Sequence, residues 1–174
     1  MKVTRIFVSA AVLTAVGLTA FLPTGGAATG AAQNLTITAT GVLTSGVGPA
    51  KGTFELQGAN GAETDLGKMS FPQTSVPPLA KKSPEGLTYV PLNVTVTFTG
   101  KHGTLVVRMS ARQFDVVRVD DSIMTGTWSV VRGTGRYAGL KGGGALVGLQ
   151  QAAGSSSISS YAYSFRFQGR VSKA

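Results

Sequence analysis

The chain has 174 residues, enough for one domain with a core of its own. It carries 16 Lys and Arg against 7 Asp and Glu, a net charge of +9, and no cysteine, which excludes disulfides, thiol catalysis and cysteine-ligated metals. The single histidine, His102, argues against a zinc site built on several imidazoles.

The chain opens as an export signal. Lys2 and Arg5 form a positive start, and Ile6 to Leu22 runs without a charge until Pro23. The small residues that follow, among them Gly25, Gly26, Ala27, Ala28, Gly30, Ala31 and Ala32, suit signal-peptidase cleavage after Ala28 or Ala32. Residues 1–32 are therefore read as signal peptide and cleavage region, and residues 33–174 as a secreted, extracellular domain with no membrane span after cleavage. Loss of Lys2 and Arg5 leaves 14 basic residues against 7 acidic ones, a mature charge near +7.

From Gln33 onward the period is two, that of a strand. Leu35, Ile37 and Ala39 alternate with Thr36, Thr38 and Thr40. Gly52 to Gln57 sets Phe54 on one face and Glu55 on the other, and a weaker strand ends near Phe71. Five of the seven prolines then fall between Phe71 and Leu92, so residues 72–91 are expected to form a long irregular loop.

Beyond it, Leu92, Val94, Val96 and Phe98 alternate with polar residues, and Gly100-Lys-His-Gly103 turns the chain into a return strand carrying Leu105, Val107 and Met109. Phe114 to Val119 reads as a further strand with Asp120–Asp121 as its turn. Thr125 to Val131 contains Trp128, Ala145 to Leu149 is short, and the last strand shows Tyr161, Tyr163, Phe165, Phe167 and Val171 on one face. No segment after the signal has a helical period. About eight short strands at this spacing predict an all-β domain, a single small closed antiparallel barrel.

One stretch is glycine-rich: Gly133-Thr-Gly135, Tyr137, Gly139, then Gly142 to Gly144. It lacks the third glycine of a dinucleotide-binding turn and the Gly-Lys-Ser/Thr of a nucleotide loop, so it reads as a turn that needs glycine backbones. A strand ending in Gly-Thr-Gly, then an aromatic residue, a glycine and a glycine opening the next strand resembles the allene oxide cyclase and dirigent-type barrel superfamily. Small exported bacterial barrels are the nearest members in pattern. The likeness covers roughly the C-terminal half. It implies an eight-stranded antiparallel barrel with an apolar cavity, and it carries no catalytic residue across.

Candidate chemistry is sparse. Among the carboxylates, Glu55, Glu63, Asp65, Asp115, Asp120 and Asp121 are candidates for acid–base work, and His102 sits at a turn, a poor place for a desolvated base. The residues expected to line a ligand site are Tyr161, Tyr163, Phe165, Glu55, Asp115 and Arg108, with neither a metal nor a cofactor required. The leading expectation is a secreted binding or surface protein that holds a small apolar ligand in its lumen. The alternative is a cofactor-independent isomerase or cyclase, which would turn one of Glu55, Asp115, Arg108 or Arg166 inward. A third reading is electrostatic attachment to anionic cell-wall polymer, centred on Arg132, Arg136 and Lys141. No feature points to specific nucleic-acid recognition or to an oligomeric interface.

Overall fold

The computed structural model describes residues 31–44, 49–58, 64–72, 79–116, 121–152 and 160–174. The signal-peptide assignment falls, but for Ala31 and Ala32, on residues outside these. The described chain forms nine strands: β1 (Gln33–Thr44), β2 (Ala50–Gly58), β3 (Thr64–Phe71), β4 (Lys81–Lys82), β5 (Thr88–Gly100), β6 (Gly103–Val116), β7 (Asp121–Gly133), β8 (Leu140–Ala152) and β9 (Ser160–Lys173). A 3-10 turn over Gly135–Tyr137 is the one helical element among the described residues.

Every pairing is antiparallel. The sheet runs β3-β2-β1-β9-β8-β7-β6-β5, and β3 returns to pair with β5, closing an eight-stranded barrel. Closure leaves no free long edge along most of the wall, which suits a domain without disulfides. The two-residue β4 stands outside the wall, paired with the start of β5.

The inward rows are the ones the alternation marks. Leu35, Ile37 and Ala39 of β1, Val94, Val96 and Phe98 of β5, and Phe165 and Phe167 of β9 are all buried. Aromatic rings fill the middle of the lumen. Phe98 meets Phe54 and Phe167 edge-on, with centroids 5.2 and 5.5 Å apart, and Trp128 meets Phe167 at 6.3 Å. Burying each of these side chains stabilises the fold by roughly 1.5–3 kcal/mol, and each edge-on pair adds about 0.5–1.5 kcal/mol.

Trp128 also explains the glycines of β8. It lies opposite Gly144, which in turn lies opposite Gly169. A Cβ on Gly144 would run into the Gln168 carbonyl, and one on Gly169 into the Gly143 carbonyl. The strands therefore approach closely here, and the indole Nε1 donates to that same Gln168 oxygen at 3.3 Å. Gly142–Gly144 belong to a strand, so β8 is 13 residues long and not the short piece expected from Ala145 to Leu149.

Two other boundaries differ from the sequence reading. Phe114 opens no new strand but continues β6, which runs unbroken from Gly103 to Val116; Asp121 then begins β7, and residues 117–120 lie outside the described set. The irregular segment is also shorter than 72–91, because β5 starts at Thr88 and includes Pro91. Pro91 pairs with Arg112 on its β6 side, while β3 joins β5 only over Thr97–Gly100. The missing N–H thus falls where no β3 residue pairs with the strand. Residues 73–78 lie outside the described set.

Candidate functional site

The two ends of the barrel are built differently. At one end lie the start of β1, the β5–β6 hairpin, the glycine-rich turn and the C-terminus. Here the Gly-Thr-Gly sequence docks on the hairpin: the Thr134 amide donates to the Thr104 carbonyl at 2.8 Å, the Arg136 amide to the His102 carbonyl at 2.8 Å, and the Thr104 amide to Thr134 Oγ1 at 3.0 Å. Gly135 adopts φ +58° with the His102 carbonyl where a Cβ would stand, so glycine is required there.

The turn delivers Tyr137 to a buried carboxylate. Asp65 of β3 is only 3 % exposed. Its Oδ2 accepts from the Tyr137 hydroxyl at 2.6 Å and from the His102 amide at 3.3 Å, and its Oδ1 accepts from the Lys101 amide at 2.9 Å. Burial pushes the carboxyl pKa up, but the Tyr137 hydroxyl and the two amides outweigh it and hold the group below its ordinary value. This is a latch: three donors satisfy a buried anion, leaving it no call on a proton or a substrate. A pocket of about 250 Å³ beside it is lined by Asn34, Asp65, His102, Arg136, Tyr137 and Lys173 among others.

At the opposite end, the rim, the strand register brings chemistry together. Tyr163 of β9 pairs with Gln150 of β8, Gln150 with Ser122 of β7, and Ser122 with Asp115 of β6. All four belong to inward rows. Tyr163 precedes buried Phe165 by two residues, Gln150 follows Gly148, whose Cβ would meet the Phe165 ring, and Ser122 is itself buried at 5 % exposure. The polar half is wired together: Gln113 Nε2 donates to Ser122 Oγ at 3.1 Å, and Ser122 Oγ donates to Asp115 Oδ1 at 2.9 Å.

Opposite stands an aromatic wall. Tyr163 stacks on Phe165 with centroids 5.7 Å apart and planes 12° apart, and Phe71 meets both rings edge-on at 5.5 and 5.9 Å. Leu43 and Leu92 pack against the same core. Burial, with Tyr161 adding to it, pushes the Tyr163 phenol up to about 12, so it stays protonated and can donate a hydrogen bond at every physiological pH.

Of the residues expected to line the site, Tyr161, Tyr163, Phe165 and Asp115 therefore come to one end and one face of the wall. Phe165 is a core residue whose ring floors the rim. Glu55 and Arg108 do not join them. Both lie on the outer face, where Glu55 accepts from Gln57 at 2.7 Å and Arg108 is exposed, because their neighbours Phe54, Leu56, Val107 and Met109 take the inward positions. Arg166 is outward as well. Arg132, Arg136 and Lys141 are exposed near the latched end. Gln113, Ser122 and Gln150 were not singled out by the sequence. Their types are common on any strand, and only the register of three strands sets them beside Tyr163.

No group of three or more histidine, aspartate or glutamate side chains among the described residues could hold a metal ion. No family model, no curated protein and no solved structure matches this chain.

Proposed function

We propose that this chain is an exported β-barrel binding protein whose rim takes a small molecule with an apolar body and a hydrogen-bonding group. The observation that carries this reading is the single inward row Tyr163–Gln150–Ser122–Asp115. The apolar body of the ligand lies against Tyr163, Phe165, Phe71 and Leu43. Its polar group meets the Tyr163 hydroxyl as donor, Asp115 as acceptor and the Gln150 amide as both. The lumen beneath is filled with rings, so the ligand is held at the rim and not swallowed. An apolar wall with few polar groups is the usual composition of a small-molecule site.

One feature favours catalysis as the second reading. Asp115 is the carboxylate of the rim row, and it lies along that row from the protonated Tyr163 phenol, across Gln150 and Ser122. A carboxylate that takes a proton from one position of a bound molecule and returns it at another, with the phenol hydrogen-bonding the charge that develops, is what an isomerase or cyclase of the allene oxide cyclase or dirigent type would need. The Gly133–Gly142 pattern supports that kinship.

Native mass spectrometry of the protein purified from culture medium tests both. The binding reading expects a retained small molecule, lost in Tyr163→Ala and Gln150→Ala and kept in Arg108→Ala. When the retained compound is identified and added back, its recovery unchanged supports binding, and its conversion to an isomer, abolished by Asp115→Asn, supports catalysis. An adduct that survives both rim substitutions would overturn the assignment of the site.

A further inference from the structure

The rim end carries a second feature on its outer side. Lys81 and Lys82 pair with Tyr89 and Thr88 to form a short hairpin. Its turn is fixed: the Ser83 amide donates to the Leu87 carbonyl at 2.8 Å, the Gly86 amide to the Ser83 carbonyl at 2.9 Å, and the Leu87 amide to Ser83 Oγ at 3.2 Å. This ordered turn presents apolar side chains to water. Leu87 is 59 % exposed, and Leu79, two residues before Lys81, is 87 % exposed.

Single exposed leucines need no explanation, but these come with a particular company. Lys81 and Lys82 are exposed beside them. Lys81 faces Tyr89 across the ribbon, and the Tyr89 ring lies under the Arg112 guanidinium at 5.0 Å and against Phe114 at 5.8 Å. Three cations thus stand against one hairpin carboxylate, Glu85. Asp115, exposed at the rim, accepts from Ser122 on the inward row. Exposed leucines flanked by lysines, with a tyrosine and an arginine behind them, match the layers of a bilayer surface: acyl boundary, headgroup phosphates and interfacial belt.

We infer that this hairpin docks the rim end of the barrel onto an anionic lipid bilayer. Leu79 and Leu87 enter the acyl boundary, while Lys81, Lys82 and Arg112 meet headgroup phosphates. A soluble polyanion would engage the lysines and leave the leucines idle, so the leucines favour lipid as the partner. The docking holds whether or not the rim takes a ligand. With the rim reading, it sets the mouth against the phase in which apolar molecules dissolve.

Cosedimentation of the mature protein with vesicles tests this, using phosphatidylcholine alone and phosphatidylcholine with about a third phosphatidylglycerol. Binding is expected on the anionic vesicles and at least about tenfold weaker on the neutral ones. Lys81→Ser/Lys82→Ser should lower affinity about thirtyfold, and Leu79→Ser/Leu87→Ser by about tenfold or more. Arg132→Ser/Lys141→Ser, at the other end, should change it little. All six positions are exposed, so circular dichroism should report the same fold throughout. Absence of vesicle binding overturns the inference. So does an unaffected leucine variant that is also retained on soluble dextran sulfate like the parent, since that describes attraction to any polyanion. The adduct expected in native mass spectrometry should persist in the leucine variant, which separates failure here from failure of the rim site.

Discussion

Tyr137 Oη lies 2.6 Å from Asp65 Oδ2 and donates to it, joining the glycine-rich turn to a strand 72 residues earlier. Around that bond the amides of Lys101 and His102 complete the carboxylate's shell. The barrel is thereby tied shut at one end by β3, the β5–β6 hairpin and the turn after β7. The other end is left to carry the inward row of Tyr163, Gln150, Ser122 and Asp115.

Removing one donor from the latch should be costly. Tyr137→Phe leaves a buried carboxylate short of a hydrogen bond, with an expected loss of about 1.5–3 kcal/mol in urea unfolding. Gly100→Ala should disturb the same bond, because its Cβ would occupy the space of the Asp65 carboxylate. The double variant should therefore lose less than the two single losses together. Strict additivity would mean that the two positions act on separate features.

The latch also sets an acid limit. The folded-state pKa of Asp65 is depressed below its ordinary 3.8. Its contribution is therefore fully present above that value and is lost as pH falls from there through the folded pKa. Thermal unfolding followed downward from pH 6 should show the parent losing stability below about pH 4, with a shallower slope in Asp65→Asn.

At alkaline pH the sign reverses. Tyr163 is raised from 10.0 to about 12, so the folded state holds its proton longer than the unfolded chain. Its contribution is intact below pH 10 and falls away as pH rises toward 12. Tyr163→Phe should flatten the alkaline decline in melting temperature, and should remove one step above pH 10 from an ultraviolet tyrosinate titration.

Stability should depend on the ring cluster and not on the outer charges. Phe167 touches Phe98, Trp128 and Phe165, and Phe167→Ala should cost about 3–5 kcal/mol. Its neighbour Arg166 is exposed on the other face, and Arg166→Ala should stay within about 0.5 kcal/mol. Denaturant midpoints of the two variants compare them directly.

Much of the wall was legible in the sequence because one face is buried and the other wet, so β1, β2, β5, β6 and β9 print a period of two. The start of β8 was not legible. Gly142, Gly143 and Gly144 have no side chains to alternate, and their strand geometry comes from close approach to Trp128 and β9. The first residues of β5 were hidden by Pro84 and Pro91, since a proline is compatible with a strand only where one side goes unpaired, which is a tertiary fact. Tyr161, Tyr163 and Asp115 could be named as candidates from their rows. Their polar companions and the Asp65 latch could not, because both depend on which strands become neighbours. Glu55 and Arg108 show the converse: an alternating strand identifies two faces, and only the apolar partners at Phe54, Leu56, Val107 and Met109 decide which face is inside.

The most direct test of the rim site is a nuclear magnetic resonance titration of the ¹⁵N-labelled barrel domain, residues 33–174, with anilinonaphthalene sulfonate, an aromatic probe bearing a polar group. Saturable shifts confined to Gln113, Asp115, Ser122, Gln150 and Tyr161 to Phe165, and abolished by Tyr163→Ala in a folded protein, are the predicted result. Shifts centred instead on Asp65, His102 and Tyr137, or spread evenly over the outer face, would contradict it.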